Sequence, residues 1–192
     1  MMKYLSLLFF NEIEAAKNVL LAGAGGGYDI FTGLPLYFGL RAAGKQVHLA
    51  NVSSSYLPPA KTQQLSPSLL KVTTDISQFV HSFPDYYFPE FYLSEWFQKQ
   101  QGDKVPVYCF KKTGVKPLLK SYQALIKHLS IDTIILVDGG TDSLMRGDEV
   151  SVGTPIEDIT SIVAANELEI ERRIVKSLKN YPNKCHLFDA KQ

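Results

Sequence analysis

The sequence predicts an α/β fold, because strand-like and helix-like segments alternate along most of its 192 residues. Strands are predicted at residues 19–22, 46–52, 105–110 and 133–137, and the last is a continuous, β-branched run of the kind that is buried on both faces of a sheet. Apolar residues at helical spacing over residues 117–129 indicate a helix between two of these strands. Strand, helix and strand in succession imply parallel strands with a right-handed crossover. We therefore predict a mostly parallel sheet in a three-layer, Rossmann-like domain.

Composition favours a single domain that spans residues 1–192. The chain is 45% hydrophobic and 20% charged, and its net charge of +1 gives no basic excess for binding nucleic acid. The apolar residues 1–10 lack a small-residue cleavage site and are too few to span a membrane, which predicts a first helix in a cytoplasmic protein. Cys109 and Cys185 are expected to be free thiols. Homo-oligomer formation is left open.

Residues 53–104 are predicted to form an aromatic-rich, helical insertion. The segment opens with a loop of serines and prolines, and Pro89 favours the start of a helix. Its aromatic residues are Phe79, Phe83, Tyr86, Tyr87, Phe88, Phe91, Tyr92, Trp96 and Phe97. We expect a cover over one face of the sheet with Trp96 in the core, and the alternative is a lid that stacks on a flat ligand.

A glycine-rich stretch follows the first strand and is the most informative part of the sequence. Gly23, Gly25, Gly26 and Gly27 fill four of five consecutive positions, and Asp29 comes shortly after them. Backbone N–H groups that no Cβ covers can bind an anion closely. These residues are therefore predicted to bind an anionic small molecule, with Asp29 capping a helix or accepting hydrogen bonds from a sugar. Tight packing of a strand against a helix is the alternative.

Known phosphate-binding patterns fit this stretch only in part. The dinucleotide pattern G-x-G-x-x-G places Tyr28 where its third glycine belongs. The lysine and the serine or threonine that end a Walker motif do not follow Gly27, which disfavours a Walker-type nucleoside triphosphatase. Pro35 is expected in the first turn of the next helix, over about residues 34–43.

A second motif follows the strand at residues 133–137. Because ligands collect at the carboxyl ends of parallel strands, Asp138 is expected to share one edge of the sheet with the glycine-rich stretch. Asp138 and Asp142 are the predicted catalytic residues, as acid–base groups or as Mg²⁺ ligands. The accompanying predicted ligand-binding residues are Gly139, Gly140, Thr141 and Arg146. A polar turn capped by its own side chains is the alternative.

The last predicted helix begins at a capping box and runs to about residue 179. Glu157 and Asp158 are expected to be mostly structural, because acids stabilise the positive N-terminal end of a helix. The histidines show no metal-ligand spacing, so no metal site is predicted from them; they are His48, His81, His128 and His186.

Six segments carry a resemblance to a known family. They are AGAGGGYD at 22–29, GLPL at 33–36, HLAN at 48–51, VDGGTDS at 137–143, GDE at 147–149 and GTPIED at 153–158. Together they resemble the DUF1152 family of bacterial and archaeal proteins, up to about residue 178. The resemblance implies an α/β fold and no particular activity. Asn51, which ends the third segment, is counted with the predicted ligand-binding residues. Because family members are typically longer, a shortened chain is expected.

A weaker likeness is to sirtuin-type NAD-binding domains, through Gly23-Ala24-Gly25 and Gly33-Leu34-Pro35. The zinc cysteines and the acid–arginine pair of that family are absent from the sequence, so the likeness implies loop geometry and no deacylase chemistry. We therefore expect a protein that binds a nucleotide, such as NAD, or another phosphorylated small molecule, with or without Mg²⁺. It would act as an enzyme, as a regulatory module without turnover, or as a degenerate family member, with neither nucleic acid nor membrane as partner.

Overall fold

The computed structural model describes residues 13–55, 63–83, 85–140, 145 and 155–177. The strands, in chain order, are β1 (Asn18–Gly26), β2 (Gln46–Ser53), β3 (Gln63–Ser66), β4 (Leu69–Val72), β5 (Val107–Lys111), β6 (Thr133–Asp138) and β7 (Arg172–Ser177). The helices are α1 (Asp29–Thr32), α2 (Leu34–Ala42), α3 (Ser77–His81), α4 (Pro89–Gln101), α5 (Val115–Leu129) and α6 (Pro155–Asn166). The helix predicted at residues 1–10 lies outside the described residues.

The strands form one seven-stranded sheet in the order β3-β4-β5-β2-β1-β6-β7. The five strands from β5 to β7 are parallel, whereas β3 and β4 are antiparallel to their neighbours. The prediction of a mostly parallel α/β sheet is confirmed. Because β1 lies between β2 and β6, strands β2 to β5 lie on one side of β1, and strands β6 and β7 lie on the other side.

Side chains of β1 alternate between two hydrophobic clusters. Leu20 packs with Tyr122 of α5 and Ala164 of α6. Its neighbour Leu21 belongs to the other cluster, with Leu40 of α2. Successive strand residues point to opposite faces of the sheet, so the two clusters show that helices cover both faces. Because both faces of β1 are covered, the strand is apolar without interruption. Within the described part of the chain, no helix is both long and apolar enough to cross a lipid bilayer.

The prediction that the glycine-rich stretch is a loop is wrong, because most of the stretch belongs to a strand. β1 continues to Gly26, because its pairing with β6 extends to Gly23 and its pairing with β2 resumes at Gly26 after an irregularity. Only Gly27 of this group has a positive φ, of 64°, and it starts the turn into α1. Pro35 lies in the first turn of α2, as predicted.

The last predicted helix is also shorter than expected. α6 ends at Asn166, and the segment to Ser177 contains β7, which pairs with β6. The Arg173 guanidinium donates hydrogen bonds to the carbonyl groups of Asn166 and Leu168, which satisfies acceptors at the helix end. The apolar residues of this segment therefore belong to a strand and a turn.

The predicted insertion contains strands as well as helices. The β3–β4 hairpin extends the sheet beyond β5. α4 buries Phe91 and Phe97, as a cover over the sheet requires. The expectation that Trp96 lies in the core is wrong, because 40% of its surface is exposed. The next residue of the helix, Phe97, is buried instead.

These positions predict unequal losses when the two aromatic residues are truncated. Phe97→Ala should lower the free energy of unfolding by about 3–5 kcal/mol, as large-to-small core substitutions do. Trp96→Ala should cost about 1 kcal/mol, because its ring keeps only partial contact with Phe38 and Phe97. Urea unfolding of both variants measures the difference, and equal losses would contradict the outward position of Trp96.

Candidate functional site

The candidate site lies where the parallel strands β1, β2 and β6 end at one edge of the sheet. β1 ends at Gly26, β2 at Ser53 and β6 at Asp138. The order of strands along the chain reverses at β1, since β2 lies on one side and β6 on the other. In open α/β sheets, this reversal is where ligands bind.

Three carboxylates meet at this edge. Asp29, Asp138 and Asp158 each contribute an oxygen, and these oxygens lie within 4.8 Å of one another. Asp138 and Asp158 are buried, and Asp29 is half-buried. They come from the start of α1, the end of β6 and the first turn of α6, so the sheet brings together acids that are distant in sequence.

Backbone N–H groups hold two of these carboxylates in place. Gly25 N–H donates to Asp29 Oδ2 at 2.9 Å, and Gly139 N–H donates to Asp29 Oδ1 at 3.1 Å. Gly140 N–H donates to Asp138 Oδ1 at 2.6 Å. Asp29 therefore links the end of β1 to the end of β6.

The glycines of β1 make room for side chains of the same chain. A Cβ on Gly25 would lie 2.9 Å from Asp29 Oδ2 and 2.9 Å from Asp158 Oδ1. A Cβ on Gly23 would lie only 2.0 Å from Asn51 Oδ1. The space in front of these two glycines is therefore filled by Asp29, Asp158 and Asn51.

A buried polar network lies under the turn at Gly27. Asn51 Nδ2 donates to the Gly27 carbonyl at 2.9 Å and to Glu90 Oε1 at 2.8 Å. Ser53 Oγ donates to Glu90 Oε2 at 3.1 Å. Glu90, at the start of α4, is only 1% exposed. Burial raises the pKa of Glu90 above its usual value, although the hydrogen bonds to its carboxyl act in the opposite direction.

Cys109 lies on β5 beside Asn51 and is a buried free thiol, as predicted. Burial raises the pKa of Cys109 well above its usual value, and the nearby Glu90 raises it further. A thiol of this kind is a poor nucleophile at neutral pH.

Exposed aromatic rings border the turn at Gly27. Tyr28 is 62% exposed and Tyr87 is 49% exposed, and their rings meet edge to face with centroids 6.1 Å apart. The Tyr87 hydroxyl would lie 3.1 Å from a Cβ on Gly27. The pKa of Tyr87 is raised by burial first and then by Tyr28, Glu90 and Asp29, so its hydroxyl faces the acidic side of the site.

One basic residue stands next to this group. Lys112, directly after β5, forms an ion pair with Glu157 of α6, the neighbour of Asp158. Glu157 Oε2 would lie 3.2 Å from a Cβ on Gly26, so this pair borders the end of β1. The Lys112 side chain is 60% exposed.

The structure brings several predicted site residues together. Asp29, Gly25, Asp138, Gly139 and Gly140 share one cluster of carboxylates and backbone N–H groups. The remaining described residues of the prediction border this cluster: Gly23, Gly26, Gly27 and Asn51. Thr141, Asp142 and Arg146 lie outside the described residues.

Sequence reasoning missed two acids of the site. Asp158 was expected mostly to stabilise a helix N-terminus, yet its carboxylate joins those of Asp29 and Asp138. Glu90 was not singled out. Each stands in the first turn of a helix, where a negative charge stabilises the helix N-terminus. An acid at such a position therefore does not indicate a functional site.

Comparison with protein families gives one match. Residues 95–178 match the model of a family described as a protein of unknown function, DUF1152. The predicted resemblance to DUF1152 is confirmed over this segment. The matched DUF1152 segment contains Asp138 and Asp158, whereas Asp29 and the glycine-rich stretch precede it. Comparisons with curated proteins and with solved structures gave no match. The likeness to sirtuin-type domains stays a prediction.

The contact between Gly23 and Asn51 predicts opposite effects of alanine at two glycines. Gly23→Ala should destabilise the protein by about 1–3 kcal/mol, because the new methyl group displaces a buried Asn51 that two hydrogen bonds hold. Gly39→Ala is the matched control. Gly39 lies inside α2 with nothing within 4 Å of an added Cβ, so alanine should stabilise the protein by about 1 kcal/mol. Thermal unfolding distinguishes the two, and a neutral Gly23→Ala would contradict the close contact.

The raised pKa of Glu90 predicts how stability changes with pH. Because the pKa of Glu90 is raised, the folded protein holds a proton on Glu90 more tightly than the unfolded chain does, so its contribution is fully present below its ordinary pKa and is lost as pH rises through the raised pKa. Glu90→Gln removes the titration while keeping groups that can bond Asn51 and Ser53. The variant should therefore gain stability relative to the wild type between about pH 5 and about pH 8.

Glu95→Gln in the same helix is the control, because the pKa of Glu95 is shifted in the opposite direction. Burial raises the pKa of Glu95, but the hydrogen bonds from His81 and Lys99 outweigh it and leave the pKa lowered. The stabilisation by Glu95 is present above its ordinary pKa and is lost as pH falls. Urea unfolding at both pH values should show Glu95→Gln less stable than the wild type at about pH 8. An unchanged pH dependence in Glu90→Gln would contradict a raised pKa of Glu90.

Proposed function

We propose that the protein binds a divalent cation on Asp29, Asp138 and Asp158 and, through it, a phosphorylated small molecule such as a nucleotide. The observation that carries the proposal is the approach of the three carboxylates to within 4.8 Å at the carboxyl edge of the sheet. Carboxylate oxygens are the ligands that Mg²⁺ and Ca²⁺ prefer in proteins.

The spacing of the oxygens supports a cation of this class. Two oxygens on opposite sides of an ion are separated by twice the metal–oxygen distance, which is about 4.1 Å for Mg²⁺ and about 4.6–5.2 Å for Ca²⁺. Oxygens within 4.8 Å of one another therefore fit around Ca²⁺ directly. They fit around Mg²⁺ after a small inward movement of the side chains.

The same contacts argue against a phosphate held directly on the glycines. The Gly25 N–H, which an anion would need, already donates to Asp29. Carboxylates at this edge would also repel a bare phosphate. A bound cation removes this repulsion.

We also propose that the domain is a three-layer, Rossmann-like fold. Five parallel strands with a reversal of order at β1, and helices packed on both faces, support this proposal. In such folds the ligand lies beyond the carboxyl ends of the strands, which is where the three carboxylates are found.

The second candidate function is a regulatory module that binds the same ligand without turnover. The buried Cys109, with its raised pKa, favours this candidate, because this thiol does not suit covalent catalysis. Analysis of ADP and its products after long incubation with the protein and Mg²⁺ separates the two candidates. Unchanged ADP in the presence of measurable binding would favour the module.

The cation site predicts a specific effect of Asp138. Mg²⁺ or Ca²⁺ should raise the melting temperature of the wild-type protein with increasing concentration, because only the folded state holds the three carboxylates together. Asp138→Asn should weaken cation binding by at least about tenfold, since it removes one of the charges while keeping the size of the side chain. Calorimetric titration with each cation measures the affinity.

Asp103→Asn is the matched control, because Asp103 is exposed and is not among the three clustered carboxylates. It should bind the cation like the wild type. Pyrophosphate should bind the wild type more weakly when the cation is chelated. Absence of cation binding up to about 10 mM, or equal binding by Asp138→Asn, would contradict the proposal.

A further inference from the structure

We propose that the planar ring of the bound ligand packs against Tyr28 and Tyr87, stacked on one ring and edge-on to the other, so that the phosphorylated ligand is a nucleotide. The proposal rests on the proposed function, because the acidic cluster would hold the phosphate end. It names a substrate class that the three carboxylates alone leave open.

The first argument is the position of the two rings. Tyr28 directly precedes Asp29, and Tyr87 extends from the segment before α4 to the same turn. Their ring centroids are 6.1 Å apart, and the Phe31 ring lies 5.4 Å from that of Tyr28. These rings form an aromatic rim, defined here as Tyr28, Phe31 and Tyr87, around the turn at Gly27.

The second argument is exposure. Tyr28 and Tyr87 are 62% and 49% exposed, although aromatic side chains usually gain stability from burial. Exposed aromatic faces beside a site for charged groups are the surface on which a base can stack, because every nucleobase has a π-face.

The third argument is that the backbone beside both rings is anchored. The Tyr87 backbone carbonyl accepts a hydrogen bond from Ser55 Oγ at 2.6 Å. The carbonyl of Gly27, which precedes Tyr28, accepts one from Asn51, which the buried Glu90 holds in turn. The backbone that carries the two tyrosines is therefore held in place before a ligand arrives, which reduces the entropy lost on binding.

The arrangement also separates the two ends of a nucleotide. Carboxylates with a cation would take the phosphates, and the aromatic rim would take the base on the other side of Gly27. Gly27 has a φ of 64° and carries no side chain, which lets the Tyr87 hydroxyl approach the turn between the two regions.

The test compares ADP with pyrophosphate, which share a diphosphate and differ in the nucleoside. In calorimetric titrations of the full chain with Mg²⁺, ADP should bind at least about tenfold more tightly than pyrophosphate. Tyr28→Ala and Tyr87→Ala should each reduce that advantage several-fold and leave the affinity for pyrophosphate unchanged. Tyr28→Phe and Tyr87→Phe, which keep the ring, should retain most of it.

Tyr92→Ala is the control, because Tyr92 is an exposed tyrosine of α4 whose ring contacts Phe91. It should bind ADP like the wild type. Circular dichroism and melting temperatures show whether each variant is folded, and the phenylalanine variants preserve the test if an alanine variant unfolds.

The outcomes separate this inference from the proposed function. Equal affinity for ADP and pyrophosphate, or no binding of ADP, would overturn the stacking role. A wild type that binds no cation would overturn the cation site. If the wild type binds no cation, ADP titrations in a chelator still test the stacking role. A weaker affinity of Tyr28→Ala for ADP under these conditions would support that role.

Discussion

The Asp29 carboxylate is the group on which the rest of the candidate site depends. Its two oxygens accept hydrogen bonds from Gly25 at the end of β1 and from Gly139 just beyond β6. Hydrogen bonds to a charged acceptor are stronger than neutral ones, so this single side chain ties together the ends of the two central strands. A Cβ on Gly139 would lie 3.1 Å from Asp29 Oδ1, so this approach also depends on glycine.

Much of the fold could be predicted because strands buried on both faces leave continuous apolar runs in the sequence. β6 is buried at every position, and its composition alone identifies it. The meeting of Asp138 with the glycine-rich stretch also follows from parallel strands. The β3–β4 hairpin could not be predicted in this way. Its first strand, Gln63–Ser66, has no buried residue, so neither alternation nor an apolar run marks it.

The acids of the site could be predicted only where they follow a strand. Asp138 ends β6 at the edge of the sheet where ligands bind in open α/β folds, so its place in the sequence marks it as a candidate. Asp158 and Glu90 stand in the first turns of helices, where helix electrostatics already account for an acid. Only the tertiary structure shows that one joins the acidic cluster and the other is buried beneath Gly27.

The structure holds its buried acids in two different ways. Side-chain donors from Asn51 and Ser53 satisfy both carboxyl oxygens of Glu90. The three aspartates instead lie next to one another with backbone N–H groups behind Asp29 and Asp138. An acid whose two oxygens already accept side-chain hydrogen bonds requires no ligand, whereas three adjacent carboxylates match the donor set of a divalent cation.

This difference resolves a conflict within the sequence pattern. A run of glycines after a strand suggests an anion, yet Asp29 beside the run would repel one. In the structure, the glycines admit carboxylates and Asn51, because an added Cβ would collide with those side chains. On the proposed function, the glycine-rich strand end serves a phosphorylated ligand indirectly: it creates the space for the acids, the acids bind the cation, and the cation binds the phosphate. Because the phosphate contacts the cation and the cation contacts the acids, Asp29 beside the glycines is required for binding the phosphorylated ligand.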